Sequence, residues 1–433
     1  MRFLGGAVLA AGLIVVPLAA AAQFGRPAEI PLAGTPVAVG VVDVTQDGNG
    51  DLVVANAGAP PLTLLRGNGT GAFEAPVPFG TGPAARAIAV YDLDNDGGDD
   101  LAVVGGNEVA VYLAAEGSFV RHGSLVAPSV LAVLASDLDF DGNADLLAAA
   151  SNRPVVTVFR GLGDGTFLPG TEYSAGRSAA TALFAADLNG DDLTDLVTGG
   201  DGVSVLLGND DGTLGAPVGV TDTPGVTALT GGDFDGDGDV DLALARSPNV
   251  VGILLNDGEG LLSAGGTYQV GGAPVALAAS FVDDDASLDL VTANRGTNDV
   301  SLLLGTESGG FQPPTRARAG NGPAGLALSD LDGNGTTDLV VADRLSKSVT
   351  VLLNGADAPQ PVVCRVPVLA HRTLATARRI VSAANCRVGS VRRKYSGRIK
   401  RGKVIAVTPL PGTRRPVGTT VTLLVSRGRK PKR

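Results

Sequence analysis

Short apolar runs separated by Gly, Asp and Asn turns fill the chain from residue 24 to about 355. They come in a fixed order. A small-residue run such as "VAVGVV" or "AIAVY" leads into an acidic turn, and a denser apolar run such as "LVVA" or "LALA" follows it. A third run comes next, for example "VTVFRG" or "VTVLLN". A Gly-rich turn then leads to an apolar-x-x-Pro element such as "FEAP" or "FQPP". Runs this short, bounded by turn residues, predict β-strands rather than helices.

The acidic turn sets the period. "DVTQDGNGDL" begins at Asp43, "DLDNDGGDDL" at Asp92, "DLDFDGNADL" at Asp137 and "DLNGDDLTDL" at Asp187. "DFDGDGDVDL" begins at Asp233, a worn copy "FVDDDASLDL" at Phe281, and "DLDGNGTTDL" at Asp330. The copies are 49, 45, 50, 46, 48 and 49 residues apart. Four strands in a repeat of about 40–50 residues make one blade of a β-propeller. Seven copies therefore predict an all-β, seven-bladed β-propeller over residues 23–356. Ala, Gly and Ser on the first strand suit the crowded axis. The early segment "FGRPAEIPL" matches the fourth-strand element, while the repeats stop after a third strand, "VTVLLN". The N-terminal strand is thus expected to complete the last blade and pair its open edge.

The turns carry the candidate chemistry. Numbered from its first residue, each turn has oxygen side chains at positions 1, 3, 5 and 9 and usually Gly at position 6. The predicted ligands are Asp43, Asp47 and Asp51; Asp92, Asp94, Asp96 and Asp100; Asp137, Asp139, Asp141 and Asp145. They continue with Asp187, Asn189, Asp191 and Asp195; Asp233, Asp235, Asp237 and Asp241; and Asp330, Asp332, Asn334 and Asp338. Alternate carboxylates on a tight turn converge and repel unless a cation joins them. Ca²⁺, which takes six to eight oxygens, fits better than Mg²⁺. About six structural Ca²⁺ sites are expected. An EF-hand is excluded, because strands flank the turn and position 12 is apolar, as at Leu244. Thr45 and Asp192 weaken the first and fourth copies. Phe281 at position 1 leaves the worn copy, with Asp283, Asp285 and Asp289, outside the predicted set.

Charge then divides the chain. Residues 362–433 hold 19 of the 33 Lys+Arg and none of the 44 Asp+Glu, so they carry +19 against −30 for the remainder. Such asymmetry predicts two modules with different partners. "NGADAPQP" supplies a linker, assigned to 357–361. Beyond it "VVCRVPVL", "KVIAVTPLPGT" and "TTVTLLVSRG" read as strands and "TLATARRIVSAANC" as a helix capped by Thr373, a small α+β domain over 362–426 with a basic tail, 427–433. Cys364 and Cys386, the only two cysteines, read as a disulfide in an exported chain. The opening "MRFLGGAVLAAGLIVVPLAAAAQ" has the form of a signal peptide, 1–22, and no membrane span is expected in the mature chain.

With these residues in hand, the repeats resemble the FG-GAP/VCBS units of the integrin α-chain propeller and of many exported bacterial proteins, with "LGAP" and "GGAP" as remnants of the signature. The resemblance implies structural Ca²⁺ within the blades and partner binding elsewhere. The basic segment resembles a PASTA domain through "VPVLAHRTLATARRIVSAANCRVGSV", "TPLPGT" and "PVGTTVTLLVS". That resemblance implies contact with peptidoglycan. Charge independently favours an anionic wall polymer, at Arg392, Arg393, Lys394, Arg398, Lys400, Arg401 and Lys403 around Tyr395. Nucleic acid is not expected as a partner.

No Gly-x-Ser-x-Gly elbow, phosphate loop or His-rich motif appears, and the two histidines, His122 in an expected irregular loop and His371, stand alone. The expectation is a secreted or wall-associated, non-catalytic adhesion or binding protein whose propeller ligand, protein or glycan, is unspecified. An accessory scaffold for a separate partner, or an unrecognised hydrolase or lyase of wall polysaccharide, is the alternative.

Overall fold

The structure, a computed structural model, describes residues 24–429 apart from 221–222, 284, 307–308, 356–362, 371, 385, 397–398, 410, 412 and 417–418. The predicted signal peptide, most of the linker, His371 and Arg398 therefore lie outside the described residues.

The repeats fold as seven four-stranded antiparallel sheets. In the first sheet the strands are Pro36–Val42, Asp51–Asn56, Leu62–Leu65 and Val77–Phe79, in chain order from the axis outward. Each second strand is buried on both faces, as in Asp51–Asn56 and Asp338–Asp343, which is why it reads as an unbroken apolar run. The first strands of successive sheets pack side by side, and Pro323–Ser329 of the seventh packs against Pro36–Val42 of the first, so the ring is closed. At the axis a Cβ on Gly325 would lie 2.9 Å from the Ala38 Cα, so backbones meet where larger side chains have no room. The last sheet is completed by Ala28–Pro31, which pairs with Ser348–Leu352, Ala28 opposite Val351. This is the expected closure by the N-terminal strand.

The core is divided among the blade junctions. Val53 and Leu64 of the first blade pack with Leu101 and Tyr112 of the second, and Leu52 and Val54 pack with Val340 and Val351 of the seventh. Each large apolar side chain buried in this way contributes roughly 1.5–3 kcal/mol.

The C-terminal module has its own core. Its helix, Leu374–Ala383, starts at Thr373, whose hydroxyl accepts the Thr376 N–H at 3.1 Å. Ala377 and Val381 on the helix bury against Val404, Val421, Leu423 and Val425. Thr420–Ser426 is the central strand of a three-stranded sheet, antiparallel to Val404–Thr408 and parallel to Arg387–Lys394. Sequence reading leaves Arg387–Lys394 outside the strands. Six of its eight residues are exposed, and a register shift between Val388 and Val391 breaks the alternation that would have marked it. A disulfide joins Cys364 to Cys386.

Candidate metal centres

Each acidic turn joins the first strand of a blade to the second, and the same hydrogen bonds recur from copy to copy, the position-1 bond in the six copies other than the one beginning at Phe281. Position 1 accepts the N–H of position 6, as Asp43 does from Gly48 at 3.0 Å, Asp92 from Gly97 at 3.2 Å and Asp233 from Gly238 at 3.1 Å. Position 5 accepts the N–H of position 7, as Asp141 does from Asn143 at 2.7 Å. Position 6 has φ between 86° and 99° where it is Gly48, Gly97, Gly142, Gly238 or Gly335, which explains the glycine. Asp192 takes that place in the fourth copy with φ 65°, in the left-handed region that costs a non-glycine residue about 1 kcal/mol or more.

Position 9 has a second task that the sequence does not reveal. One oxygen accepts the N–H of position 2, as Asp338 does from Leu331 at 2.8 Å. Its other oxygen accepts an N–H beyond the third strand, from Asn354 at 2.8 Å. The same pair of bonds recurs at Asp51, Asp100, Asp145, Asp195, Asp241 and Asp289. This carboxylate therefore fastens the turn to its blade whether or not it also ligates an ion.

Grouped carboxylates occur in five of the seven turns among the described residues. They are Asp92, Asp94 and Asp96; Asp137, Asp139 and Asp141; Asp233, Asp235 and Asp241; Asp283, Asp285 and Asp289; and Asp330, Asp332 and Asp338. Within each group one oxygen per residue lies within 4.8 Å of the others. Oxygens gathered this closely can share one cation. The worn copy gathers its three aspartates as closely as its siblings, although Phe281 replaces position 1. Asp237 falls outside the grouped atoms of the fifth copy, and Asp100 and Asp145 outside those of the second and third. The first and fourth copies, with Asp43, Asp47 and Asp51 and with Asp187, Asn189, Asp191 and Asp195, bring no such trio together among the described residues.

The donor set asks for positive charge. Burial pushes Asp100, Asp137 and Asp338 up to about 7 and Asp289 up to about 6, with neighbouring carboxylates adding to the rise. Asp92 Oδ1 is buried without a hydrogen-bond partner. A buried carboxylate oxygen left in that state is costly unless a cation meets it. In the third copy Arg160 donates to Asp145 at 2.5 Å and lies 3.9 Å from Asp139, so a guanidinium supplies part of that charge. These clusters can hold metal ions. A cation held there would offset the repulsion among the turn's carboxylates.

The basic residues predicted as one patch divide between two faces of the module. Lys400 Nζ donates to Asn143 Oδ1 at 2.8 Å and Lys403 Nζ to Asn95 Oδ1 at 3.1 Å. Arg372 lies 3.3 Å from Asp99, and Arg379 donates to Gln46 at 3.1 Å. These four cations meet the turns of the first three blades. On another face Arg393 and Arg401 line a cavity of about 690 Å³ with Tyr395, Arg427 and Arg429. The Arg427 guanidinium sits 5.6 Å over the Tyr395 ring. Sequence reading assigns Arg427 and Arg429 to the tail; their approach follows from the Arg427 N–H bonding to the Lys394 carbonyl. Arg392 and Lys394 are exposed on their strand. His122 is on the outer strand Ser118–Val126, not in an irregular loop; it is the extra residue where the register shifts between Gly123, opposite Val111, and Arg121, opposite Tyr112.

Comparison with known proteins agrees with this geometry. The family model for an FG-GAP-like repeat matches residues 43–103, 137–198, 187–244 and 282–341. The model for a PASTA domain matches 365–427. Among solved structures, BBS1N in complex with ARL6DN, soaked with lead, is 12% identical over 79% of this chain and 100% of its own, with a TM-score of 0.56. The mercury-soaked form gives 13% identity, 78% and 100% coverage and a TM-score of 0.52. An Agrocybe aegerita lectin, described as recognising non-reducing terminal N-acetylglucosamine, is 20% identical over 67% of this chain and 80% of its own, with a TM-score of 0.48. No curated protein matches the chain. Among the described residues no helix is long and apolar enough to cross a membrane. Seven sheets closed in a ring, turns of one design and four repeat matches lead to one conclusion: the chain belongs to the FG-GAP-like repeat family, as a β-propeller that ends in a PASTA domain.

Proposed function

We propose that this is an exported, non-catalytic binding protein of the bacterial cell wall, a propeller stabilised by Ca²⁺ and held at the wall by its basic module. The carrying observation is the open cavity of Arg393, Arg401, Arg427 and Arg429 around Tyr395, in a module with no acidic residue. Guanidinium forks match phosphate and carboxylate oxygens, so peptidoglycan or an anionic wall polymer is the fitting partner. Support for Ca²⁺ comes from the repeated oxygen-only clusters and from the unpartnered buried oxygen of Asp92. Support for a non-catalytic role comes from the carboxylates, which are bound up in turn structure, and from His122, exposed on an outer strand.

The test is retention on purified cell wall by the mature chain and by residues 23–356 alone, with Ca²⁺ and with EDTA. The whole chain is expected to sediment with the wall and the shortened chain to stay in solution. Equal retention of both would sink the anchoring role.

A further inference from the structure

On the face of the propeller opposite the acidic turns the repeat lapses in a consistent way. The residue that follows each second strand is small in five blades: Ala57, Gly106, Ser151, Gly200 and Ser247. In the sixth and seventh blades it is Arg295 and Arg344. Their placement is fixed by the repeat itself. The Arg295 N–H bonds to the Ala273 carbonyl and that of Arg344 to the Gly322 carbonyl, as Ala57 and Ser151 bond to the turns before their own first strands.

The first strands add a third arginine. Six of the seven carry a register shift near their start, and the extra residue in four of these is Val37, Arg86, Val275 and Ala324. A bulge re-aims its side chain. All four residues line one cavity of about 500 Å³ among the starts of the innermost strands, and so do Arg295 and Arg344. The cavity holds no acidic residue. Among the described residues none of the three guanidinium groups has a hydrogen-bond or ion-pair partner, although the rest of the chain before residue 362 is strongly acidic.

Three exposed arginines line one cavity that has no carboxylate among its lining residues, and an oxyanion there would meet their donor forks. We propose that this cavity is a binding site for a small multiply charged oxyanion, a phosphate monoester or a dicarboxylate, free or at the end of a longer chain, held by Arg86, Arg295 and Arg344. The volume suits a ligand of that size. The small neighbours, Ala57, Val275 and Ala324 among them, leave the arginines as its only charged recognition groups.

The experiment is calorimetric titration of the mature full-length chain, in Ca²⁺ and low salt, with glycerol 3-phosphate and separately with succinate. Saturable binding of either is expected, and the tighter one names the source of the oxyanion. Arg295→Ala with Arg344→Ala weakens it at least about tenfold, and Arg86→Ala about three- to fivefold. Lysine at 295 and 344 keeps the charge but loses the fork, and gives an intermediate loss of about three- to fivefold. Arg26→Ala with Arg318→Ala removes two exposed arginines away from the cavity and changes binding by no more than about twofold. Melting temperatures within a few degrees of the parent establish that each variant is folded. No saturable binding of either probe, or an equal loss in the Arg26/Arg318 variant, overturns the proposal. Neither result bears on the wall contact of the C-terminal module.

Discussion

The propeller and the basic module solve the same problem in opposite ways. The propeller spreads its apolar contacts over seven blade junctions and crowds acid into its turns. The module has a single small core, closes it with a disulfide between Cys364 and Cys386, and carries only positive charge. A ring of repeats gains stability from neighbour to neighbour, so each turn must hold its blade in register. A domain of this size gains most from a covalent staple. The difference teaches that the propeller should respond to cations and the module to reductant. Their shared contact, through Arg372, Arg379, Lys400 and Lys403, should matter least.

The largest effect expected is from divalent cations. EDTA lowers the calorimetric transition of the propeller by about 10 °C or more, millimolar Ca²⁺ restores it, and the module's transition stays in place. A propeller transition indifferent to both reagents would count against the calcium reading. Next, Asp338→Ala leaves two buried N–H groups unmatched and costs about 2–4 kcal/mol even in EDTA, where no ion contributes. Asp338→Asn recovers only part of this loss, because one oxygen can still accept; urea denaturation checks the order. Of similar size but confined to the module, Cys364→Ala with Cys386→Ala lowers its stability by about 3 kcal/mol and leaves the propeller unchanged.

A smaller effect separates burial from metal binding. Asp343, at the end of the seventh blade's second strand, is buried and pushed up to about 6. Thr350 donates to its Oδ2 at 2.6 Å, while Oδ1 has no hydrogen-bond partner. Below about pH 4 the carboxyl is protonated folded or unfolded and costs nothing. Between pH 4 and 6 the unfolded chain loses its proton first, so stability falls as pH rises, and above pH 6 the full loss, on the order of 1–2 kcal/mol, is present. The first and sixth blades have Asn56 and Asn294 in this place, bonded to Thr63 and Ser301. Asp343→Asn should therefore raise the propeller's melting temperature at pH 7.5 and not at pH 4. Smallest of all, Lys400→Ala with Lys403→Ala should shift neither transition by more than about 1 °C. A shift of both together would mean that the two regions melt as one.

How much of this the sequence reveals depends on how local the cause is. A blade is four consecutive strands, so its apolar runs, its turns and its period are legible directly, and the unpaired opening strand announces the closure between Ala28–Pro31 and Ser348–Leu352. The acidic turn is equally local, and positions 1, 3 and 5 read as ligands because alternate side chains on one turn must converge. Position 9 carries more than the local pattern shows: Asp338 is gathered with Asp330 and Asp332, and it also accepts the N–H of Asn354, which lies beyond the third strand. The worn copy misleads, because the loss of Phe281's carboxylate counterpart does not disturb the backbone that gathers Asp283, Asp285 and Asp289.

The sequence by itself determined the seven-fold repeat, the strand order within each blade, the acidic turns and the separation of charge between two modules. All of these are written in residues close together along the chain. Only the tertiary structure decided which carboxylates share a point, which basic residues face the propeller rather than solvent, and that Arg86, Arg295 and Arg344 line one cavity. These depend on ring closure and on the strand register, which set distances between residues that no local pattern connects.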